Sequence, residues 1–352
     1  MKSREEFLTK LDDIAYQDEI LQHVSRTFAL TIPQLPEPLC TVVGNAYLLC
    51  RIADTIEDDK VMSSEQKKQY AERFIDVVKG SDEASSFAES LFPLLSPTAT
   101  EAEHDLIANT VPVIRITHSF NSRQRAALER CVKIMADGMV IYQDAETLDG
   151  VADQKDMDQY CYYVAGVVGE MLTELFCDHS AEIDAQRELM MKLGVSFGQG
   201  LQMTNILKDI WEDHERGACW LPREVFEKHG VDIRHKEPGK MGEGFNDALI
   251  ELLGVAHAHV YNALRYTLMI PEKEKGLRKF CLWALGMAVL NLEKIRQTPD
   301  FTLGQQVKIS RNSVKAIIFL TSLFVGQDRI LTYLFKFAGR RLPMANFHEK
   351  LY

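Results

Sequence analysis

Apolar residues recur at intervals of three and four along nearly the whole chain, which is the spacing of one face of an α-helix. Runs that alternate apolar and polar residues between tight turns, as β-hairpins do, are missing from the pattern. The pattern therefore predicts a chain of helices, at about residues 4–22, 37–57, 64–79, 84–94, 98–119, 121–149, 155–178, 183–212, 222–228, 243–269, 272–296 and 311–337.

The predicted breaks between these helices have local causes. Three prolines in "TIPQLPEPL" block a helix until Pro38, which fits a first helical turn. In "LSPTATEAE" a threonine precedes an acidic first turn and is a candidate N-cap. Because no change of composition divides the chain, we predict one all-α domain over residues 1–352.

Composition narrows the class of protein. The 352 residues are 46% hydrophobic and 26% charged, as in a globular protein with a sizeable core. A net charge of −11 without a basic stripe argues against nucleic acid as a partner. Seven cysteines, an odd number without a CxxC pair, predict reduced core residues in a reducing compartment, with a disulfide or zinc framework as the alternative.

The sequence offers little that would span a membrane. The amphipathic, acidic start "MKSREEFLTKLDD" does not resemble a signal peptide, and no stretch reaches the ~20 apolar residues that a bilayer needs. "AIIFLTSLFVG", residues 316–326, predicts a buried helix, with a helix on a membrane surface as the alternative. We expect a cytoplasmic protein without a transmembrane segment, in peripheral contact with the inner face of a membrane through residues 313–337.

Two helices carry the same acidic pattern. In "DTIED" Asp54 and Asp58 are four residues apart, and in "DIWED" Asp209 and Asp213 repeat this spacing with Asn205 one turn upstream. Residues four apart project from one helical face, where two like charges repel each other. Such a pair is stabilised if a cation lies between the carboxylates.

Mg²⁺ is the cation that the pattern favours, because it takes one or two carboxylates together with waters and substrate phosphate oxygens. Each pair lies in an apolar helix beside a cationic residue, Arg51 or Lys208. Solvated acidic helix faces remain the alternative. A di-iron bundle would need Glu-x-x-His pairs, which neither cluster has. His257 and His259 are two apart, on different helical faces, and are interpreted as surface or core residues.

Seven motifs, in order, resemble those of the squalene/phytoene synthase family. They are "SRTFAL" at 25–30, "YLLCRIADTIEDD" at 47–59, "YCYYVAGVVGE" at 160–170, "GQGLQMTNILKDIWED" at 198–213, "WLPREVF" at 220–226, "FCLWALGMA" at 280–288 and "VKISR" at 307–311. The resemblance implies a single-domain, all-α isoprenoid synthase fold with helices around a central active-site cavity. The two acidic ends would face each other across that cavity.

The resemblance also implies an enzyme. It would condense two molecules of farnesyl diphosphate head to head through presqualene diphosphate, and then reduce and rearrange this intermediate to squalene with NADPH. The implied cofactors are Mg²⁺, with Mn²⁺ as the other candidate ion, and NADPH. The alternatives are a dehydrosqualene or phytoene synthase without the reduction, and a non-catalytic relative that binds prenyl diphosphates. The motifs between residues 280 and 311 favour the reducing enzyme.

The motifs assign candidate residues to each role. The candidate metal ligands are Asp54, Glu57, Asp58, Asp209 and Asp213, and the candidate catalytic residues are Tyr160, Tyr47 and Arg51. The candidate substrate contacts are Arg26, Phe28, Val164, Gln202, Asn205, Lys208 and Phe280, and the candidate NADPH contacts are Lys308 and Arg311. Asp59 is expected to be a solvated helix end.

Two of the departures from the family pattern concern a missing basic residue. Ala218 stands where relatives often carry a basic residue, and Arg216 or Arg223 is expected to replace it. Ser310 stands where the second cation of the "VKISR" block is usual, so that the arginine comes one position later at 311. Four glycines at 166, 169, 198 and 200 interrupt good helices, either for close packing or to make room for a prenyl chain.

Overall fold

The computed structural model describes residues 2–25, 27–142 and 147–345, and within these ranges the side chains from residue 12 onwards. The described residues form helices and no β-strand, and one isolated bridge joins Val151 to Pro222. The predicted all-α class is confirmed. Contacts divide the chain into two compact units, Met1–Gln143 with Glu174–Ala181, and Asp144–Thr173 with Glu182–Tyr352. The prediction of one domain over residues 1–352 stays a prediction.

The first unit consists of helices that surround α3. Its elements are α1 (Lys2–Val24), α2 (Phe28–Thr31), α3 (Glu37–Glu57), α4 (Ser64–Lys79), α5 (Ala84–Leu91), α6 (Glu101–Ala108), α7 (Thr110–Ser119) and α8 (Ser122–Tyr142), with short 3₁₀ turns at Ile32–Gln34 and Phe92–Leu94. Leu48, Leu49 and Ile52 of α3 are fully buried. By length and composition α3 could cross a membrane, but 72% of its most hydrophobic window lies buried inside the protein.

The second unit is built around a long pair of helices, α12 and α15. Its elements are α9 (Gln154–Cys161), a π-helical turn (Tyr162–Gly166), the start of α10 (Val167–His179), α11 (Ala181–Asp184) from Glu182, α12 (Arg187–Lys208), α13 (Ile210–Glu215), α14 (Arg223–Lys228), α15 (Gly242–Met269), α16 (Lys275–Gln297), α17 (Gly304–Val307), α18 (Arg311–Leu323) and α19 (Asp328–Ala338). The residues of α10 from Glu174 onwards and Ala181 belong to the first unit. A 3₁₀ turn covers Ile233–His235.

Glycines bring the helices of the second unit into direct backbone contact. A Cβ atom on Gly169 would lie 1.9 Å from the carbonyl oxygen of Gly194, and one on Gly198 would lie 2.0 Å from that of Ala165. On Gly200 it would lie 2.9 Å from the Cβ of His259. No side chain fits at these positions without moving backbone, so close helix packing accounts for glycine there.

Several predicted helices are shorter than the pattern indicated. The predicted helix 98–119 is interrupted at Asn109, and the predicted helix 311–337 is two helices separated by the turn before Gln327. The predicted helix 183–212 ends at Lys208 and resumes at Ile210. A short helical turn, Phe28–Thr31, precedes the proline segment, and Pro33 lies in the first turn of a 3₁₀ helix, where its missing N–H costs nothing.

Two predictions about the core are confirmed. None of the seven cysteines forms a disulfide, and all of them except the half-buried Cys40 are buried. His257 and His259 are 5% and 4% exposed, which makes both of them core residues. His257 Nδ1 lies 2.8 Å from the carbonyl oxygen of Pro343, and His259 Nδ1 lies 2.8 Å from Ser196 Oγ.

Candidate active site

The first acidic pair lies at the carboxyl end of α3. Asp58 caps this helix and donates its N–H to the carbonyl oxygen of Asp54 at 2.8 Å, so the two residues keep their helical spacing. Burial raises the pKa of Asp54 to about 7, repulsion by Asp58 adds to the rise, and Arg51 opposes it. Arg51 therefore offsets the effects of burial and of Asp58 on Asp54 only in part.

Arg51 is held by a residue that the sequence analysis missed. Its guanidinium forms an ion pair with Glu103, whose other oxygen accepts the backbone N–H of Thr100 at 2.7 Å and closes a capping box at the start of α6. Arg51 Nε is buried and has no hydrogen-bond partner within the described residues. The Thr-x-x-Glu spacing was the available signal for the cap, but nothing in the sequence relates it to Arg51.

Tyr47 lies one turn before Arg51 on α3, and its ring lies beside that of Phe28 on α2. Their ring centroids are 5.4 Å apart, and the Tyr47 hydroxyl donates to the carbonyl oxygen of Val24 at 2.9 Å. The structure therefore brings these two candidate residues together. Arg26 lies outside the described residues.

Glu57 and Asp59 differ from the Asp54–Asp58 pair in their surroundings. Glu57 lines a small recess with Lys67 and Phe74. Asp59 is 4% exposed and accepts the N–H groups of Val61 at 2.8 Å, Met62 at 2.9 Å and Ser96 at 2.5 Å. The expectation that Asp59 is a solvated helix end is wrong, because its carboxylate satisfies the backbone where the chain turns after α3.

The second acidic pair lies at the junction of α12 and α13. Asp209 donates its N–H to the carbonyl oxygen of Asn205, and Asp213 donates to that of Asp209, each at 2.8 Å. Helical hydrogen bonding thus continues across the junction and preserves the four-residue spacing. The Asp209 carboxylate forms an ion pair with Lys208. On the same stretch of α12, Gln202 is half-buried and Asn205 is exposed.

Arg216 supplies a positive charge to this second pair. It forms an ion pair with Asp213, which is 6% exposed. Burial raises the pKa of Asp213 to about 6, although the hydrogen bond and charge of Arg216 oppose the rise. The other candidate, Arg223, instead donates to the carbonyl oxygen of Gly150 at 2.8 Å. Of the two, Arg216 is therefore the residue that can replace the missing base at Ala218.

Tyr160 is stacked on an aromatic side chain that the sequence analysis did not single out. Its ring lies parallel to that of Trp220, with an interplanar angle of 6° and centroids 3.8 Å apart, and both side chains are buried. Val164 lies half-buried in the π-helical turn that follows, a kind of turn common at functional sites. Phe280 of α16 is 5% exposed.

Lys308 and Arg311 flank the start of α18 and both are exposed. Ser310 is the N-cap of this helix, since its side chain accepts the N–H of Ser313 at 3.1 Å. This cap is a structural reason for the serine at position 310. Arg311 then occupies the first position of the helix.

The donor sets suit Mg²⁺ better than a metal held by protein ligands alone. Among the described residues, no group of three or more His, Cys, Asp or Glu side chains is arranged to hold a metal ion. Mg²⁺ needs only one or two carboxylates when water and phosphate oxygens complete its shell. Each Asp pair contains one carboxyl group whose pKa is raised by burial and by its neighbour, so a cation there is favourable.

A family model for squalene/phytoene synthases matches residues 21–313. The chain belongs to the squalene/phytoene synthase family. The family predicted from the motifs is thus confirmed. Among curated relatives, a protein named squalene synthase ERG9 from Gibberella zeae is 30% identical over 336 residues, which cover 92% of this chain and 68% of the relative.

Solved structures share the fold. A structure described as TcSQS with the ligand BPH1237 has a TM-score of 0.72 at 23% identity, covering 97% of this chain and 94% of the other. A dehydrosqualene synthase in complex with a ligand has a TM-score of 0.64 at 20% identity, covering 91% and 98%. At these identities the likeness shows the shared fold alone.

Proposed function

We propose that the protein joins two molecules of farnesyl diphosphate head to head and reduces the product to squalene. The observation that carries the proposal is the pair of acidic clusters, each with a half-buried or buried carboxyl group of raised pKa, within the motifs of this family. The name of the relative from Gibberella zeae supports squalene as the product.

Both reactions start with the loss of diphosphate. Asp54 and Asp58, and likewise Asp209 and Asp213, are the residues that would hold Mg²⁺, which would supply Lewis-acid neutralisation of the leaving diphosphate. Arg51 and the Lys208 ammonium donate charge-assisted hydrogen bonds to the phosphate oxygens. Glu57 belongs to the proposed ligands only as a more distant partner, since its side chain lines the recess beside Lys67.

The carbocation that remains must be kept from water. In the first reaction the double bond of the second farnesyl chain attacks this cation, and closure of the cyclopropane ring releases a proton. Aromatic faces stabilise a cation without reacting with it, which is the role that we assign to Tyr160, Phe28 and Tyr47. Val164 and Phe280 supply apolar walls, and Gln202 and Asn205 contact the diphosphate end.

The second reaction also begins with loss of diphosphate, and NADPH would supply the hydride that reduces the rearranged cation to squalene, leaving NADP⁺. We assign Lys308 and Arg311, both exposed beside the start of α18, to the phosphate groups of NADPH. The chain has no Gly-x-Gly-x-x-Gly turn after a strand, so these cations stand in place of a Rossmann site.

Release of a hydrocarbon product calls for contact with a bilayer, and α18 and α19 offer one. The prediction of a buried helix at 316–326 is wrong: Ile317 is the buried residue of α18, whereas Phe319 is 66% and Leu323 57% exposed. Seven basic residues and one acidic residue lie between 308 and 341, in a chain of net charge −11. We propose that this surface docks on anionic lipid.

One assay tests the proposed reaction. The protein is incubated with farnesyl diphosphate and Mg²⁺, with and without NADPH, and the extracted hydrocarbons are identified. Squalene that forms only with NADPH is the expected result. Dehydrosqualene in both reactions would contradict the reduction, and absence of turnover would favour a prenyl-diphosphate-binding relative.

A further inference from the structure

Two hydrogen bonds connect the helix of the second acidic pair to a loop ninety residues further along the chain. Trp211 Nε1 donates to the carbonyl oxygen of Phe301 at 2.6 Å, and the N–H of Gly304 donates to Glu212 Oε1 at 2.9 Å. Trp211 and Phe301 are 3% and 2% exposed. The residues of α13 that make these bonds, Trp211 and Glu212, directly precede Asp213.

The contact between Glu212 and Gly304 leaves no room for a side chain. A Cβ atom at position 304 would lie 2.5 Å from Glu212 Oε1 and 2.9 Å from its Cδ, so the carboxylate would have to move. Glu212 Oε2 is buried and has no hydrogen-bond partner within the described residues. The bond to Gly304 is therefore the described polar contact that orients this carboxylate.

The loop continues directly into the segment that carries the proposed NADPH contacts. Helix α17 runs from Gly304 to Val307, which is fully buried, and Lys308 follows in an extended conformation. At ~1.5 Å per helical residue, Lys308 lies within about 10 Å of Gly304 along the backbone. The N–H of Ile309 is held by Asn291 Oδ1 at 3.3 Å.

We propose that Glu212 is a positioning residue and not a metal ligand. It fixes the segment from Phe301 to Arg311 to the helix that bears Asp213, so that the NADPH-binding cations keep a constant distance from the diphosphate-binding carboxylate. This role rests on the proposed function, and it predicts that Glu212 serves the reduction more than the condensation.

The chain allows the contact to be broken from either side. Glu212→Ala removes the acceptor, and Gly304→Ala displaces the carboxylate while Glu212 itself is unchanged. Glu212→Gln keeps an oxygen for the Gly304 N–H and serves as the conservative rescue. Glu215→Gln, an exposed position on the same short helix, is the matched control.

Steady-state kinetics give the first readout. In Glu212→Ala and Gly304→Ala we expect the KM for NADPH to rise about tenfold or more, because a hydrogen bond to a charged group is lost. Formation of presqualene diphosphate without NADPH should change much less, and Glu212→Gln and Glu215→Gln should resemble the wild type. A large loss of condensation with an increased Mg²⁺ requirement in both Glu212 variants would overturn the proposal, because it indicates a metal ligand.

Hydrogen exchange gives a second readout that does not depend on activity. The amides from Gly304 to Arg311 should exchange faster in Glu212→Ala and Gly304→Ala than in the wild type and in Glu215→Gln. Unchanged exchange in both variants would overturn the positioning role, whatever the enzyme makes. Wild-type protein that forms no presqualene diphosphate would contradict the proposed function alone.

Discussion

Arg51 of α3 and Glu103 of α6 form an ion pair in which the two side chains are only 29% and 13% exposed. Although burial opposes it, the N–H of Thr100 and the guanidinium of Arg51 hold the pKa of Glu103 below its ordinary value. The same carboxylate thus caps one helix and orients a candidate catalytic residue on another. One side chain outside the seven sequence motifs is thus linked both to the start of α6 and to a candidate catalytic residue beside Asp54.

Two substitutions at Glu103 separate these roles. Glu103→Ala removes both the cap and the ion pair and should lower the free energy of unfolding by about 1–3 kcal/mol. Glu103→Gln keeps an acceptor for Thr100, so it should cost less than ~1 kcal/mol while lowering the rate of condensation, since Arg51 loses its charged partner. Urea unfolding and presqualene diphosphate formation measure the two effects. Equal stability losses in both variants would contradict the division of roles.

Asp54→Asn should reduce condensation at least about 100-fold, because one ligand of the ion that neutralises the leaving diphosphate is lost. Its melting temperature should stay the same or rise, since the substitution removes the repulsion with Asp58. Turnover of farnesyl diphosphate and thermal unfolding are the measurements. Asp76→Asn, on the exposed side of α4, is the control and should be silent. Wild-type turnover in Asp54→Asn would refute the metal assignment.

His259 should make the protein less stable in acid. Burial lowers its pKa from 6.5 to about 4, so below pH 6.5 the unfolded chain binds a proton that the folded protein rejects. Stability from this group is lost as the pH falls from 6.5 to about 4, by roughly 3 kcal/mol in all. Asp54 and Asp213, with pKa values raised to about 7 and about 6, act in the opposite sense.

Comparison with a variant isolates the histidine from these carboxyl groups. The difference in the free energy of unfolding between wild type and His259→Gln should shrink by roughly 3 kcal/mol between about pH 7 and pH 4. His235→Gln, at an exposed position, should show no such change. Urea denaturation across this range is the measurement, and a constant difference for His259→Gln would contradict the prediction.

The membrane surface can be tested with vesicles. Replacing Phe319, Tyr333 and Phe337 together by serine removes aromatic side chains that are 66%, 66% and 53% exposed. The variant should sediment with vesicles rich in phosphatidylserine at least about tenfold less than the wild type, and added salt should weaken wild-type binding. Val61→Ser and Ile141→Ser replace exposed residues elsewhere as controls. Equal sedimentation of all proteins would refute the docking surface.

The sequence predicted the helical class and the bounds of the helices that end at chemical signals. The helices predicted at 37–57 and 64–79 were found with those bounds, because Pro38 lies in the first turn of the first helix and Ser63 and Gly80 cap the second. Positions where a helix is interrupted without a proline, such as Asn109 and Asp209, were missed. The apolar spacing on both sides of these residues is still that of a helix, so the interruption is set by tertiary packing and not by local sequence.

The candidate site residues that local spacing or a motif indicates could be predicted from the sequence. The residues that reach the site from distant parts of the chain could not. The two Asp pairs follow from a period of four residues, and Tyr160 follows from its motif. The contacts of Glu103, Trp220 and Gly304 join residues that are between 52 and 92 positions apart in the chain. A single sequence contains no periodicity that records such long-range contacts.

The parallel stack of Tyr160 on Trp220 also makes the fluorescence of Trp220 a way to observe the surroundings of Tyr160. With ring centroids 3.8 Å apart, the excited indole is directly exposed to any change at the phenol ring. If Tyr160 lines the prenyl site as proposed, we expect ligand binding to alter the emission of Trp220, and Trp220→Phe identifies its share among the three tryptophans. Occupancy of this part of the site can thus be followed in solution with unlabelled ligand and without turnover.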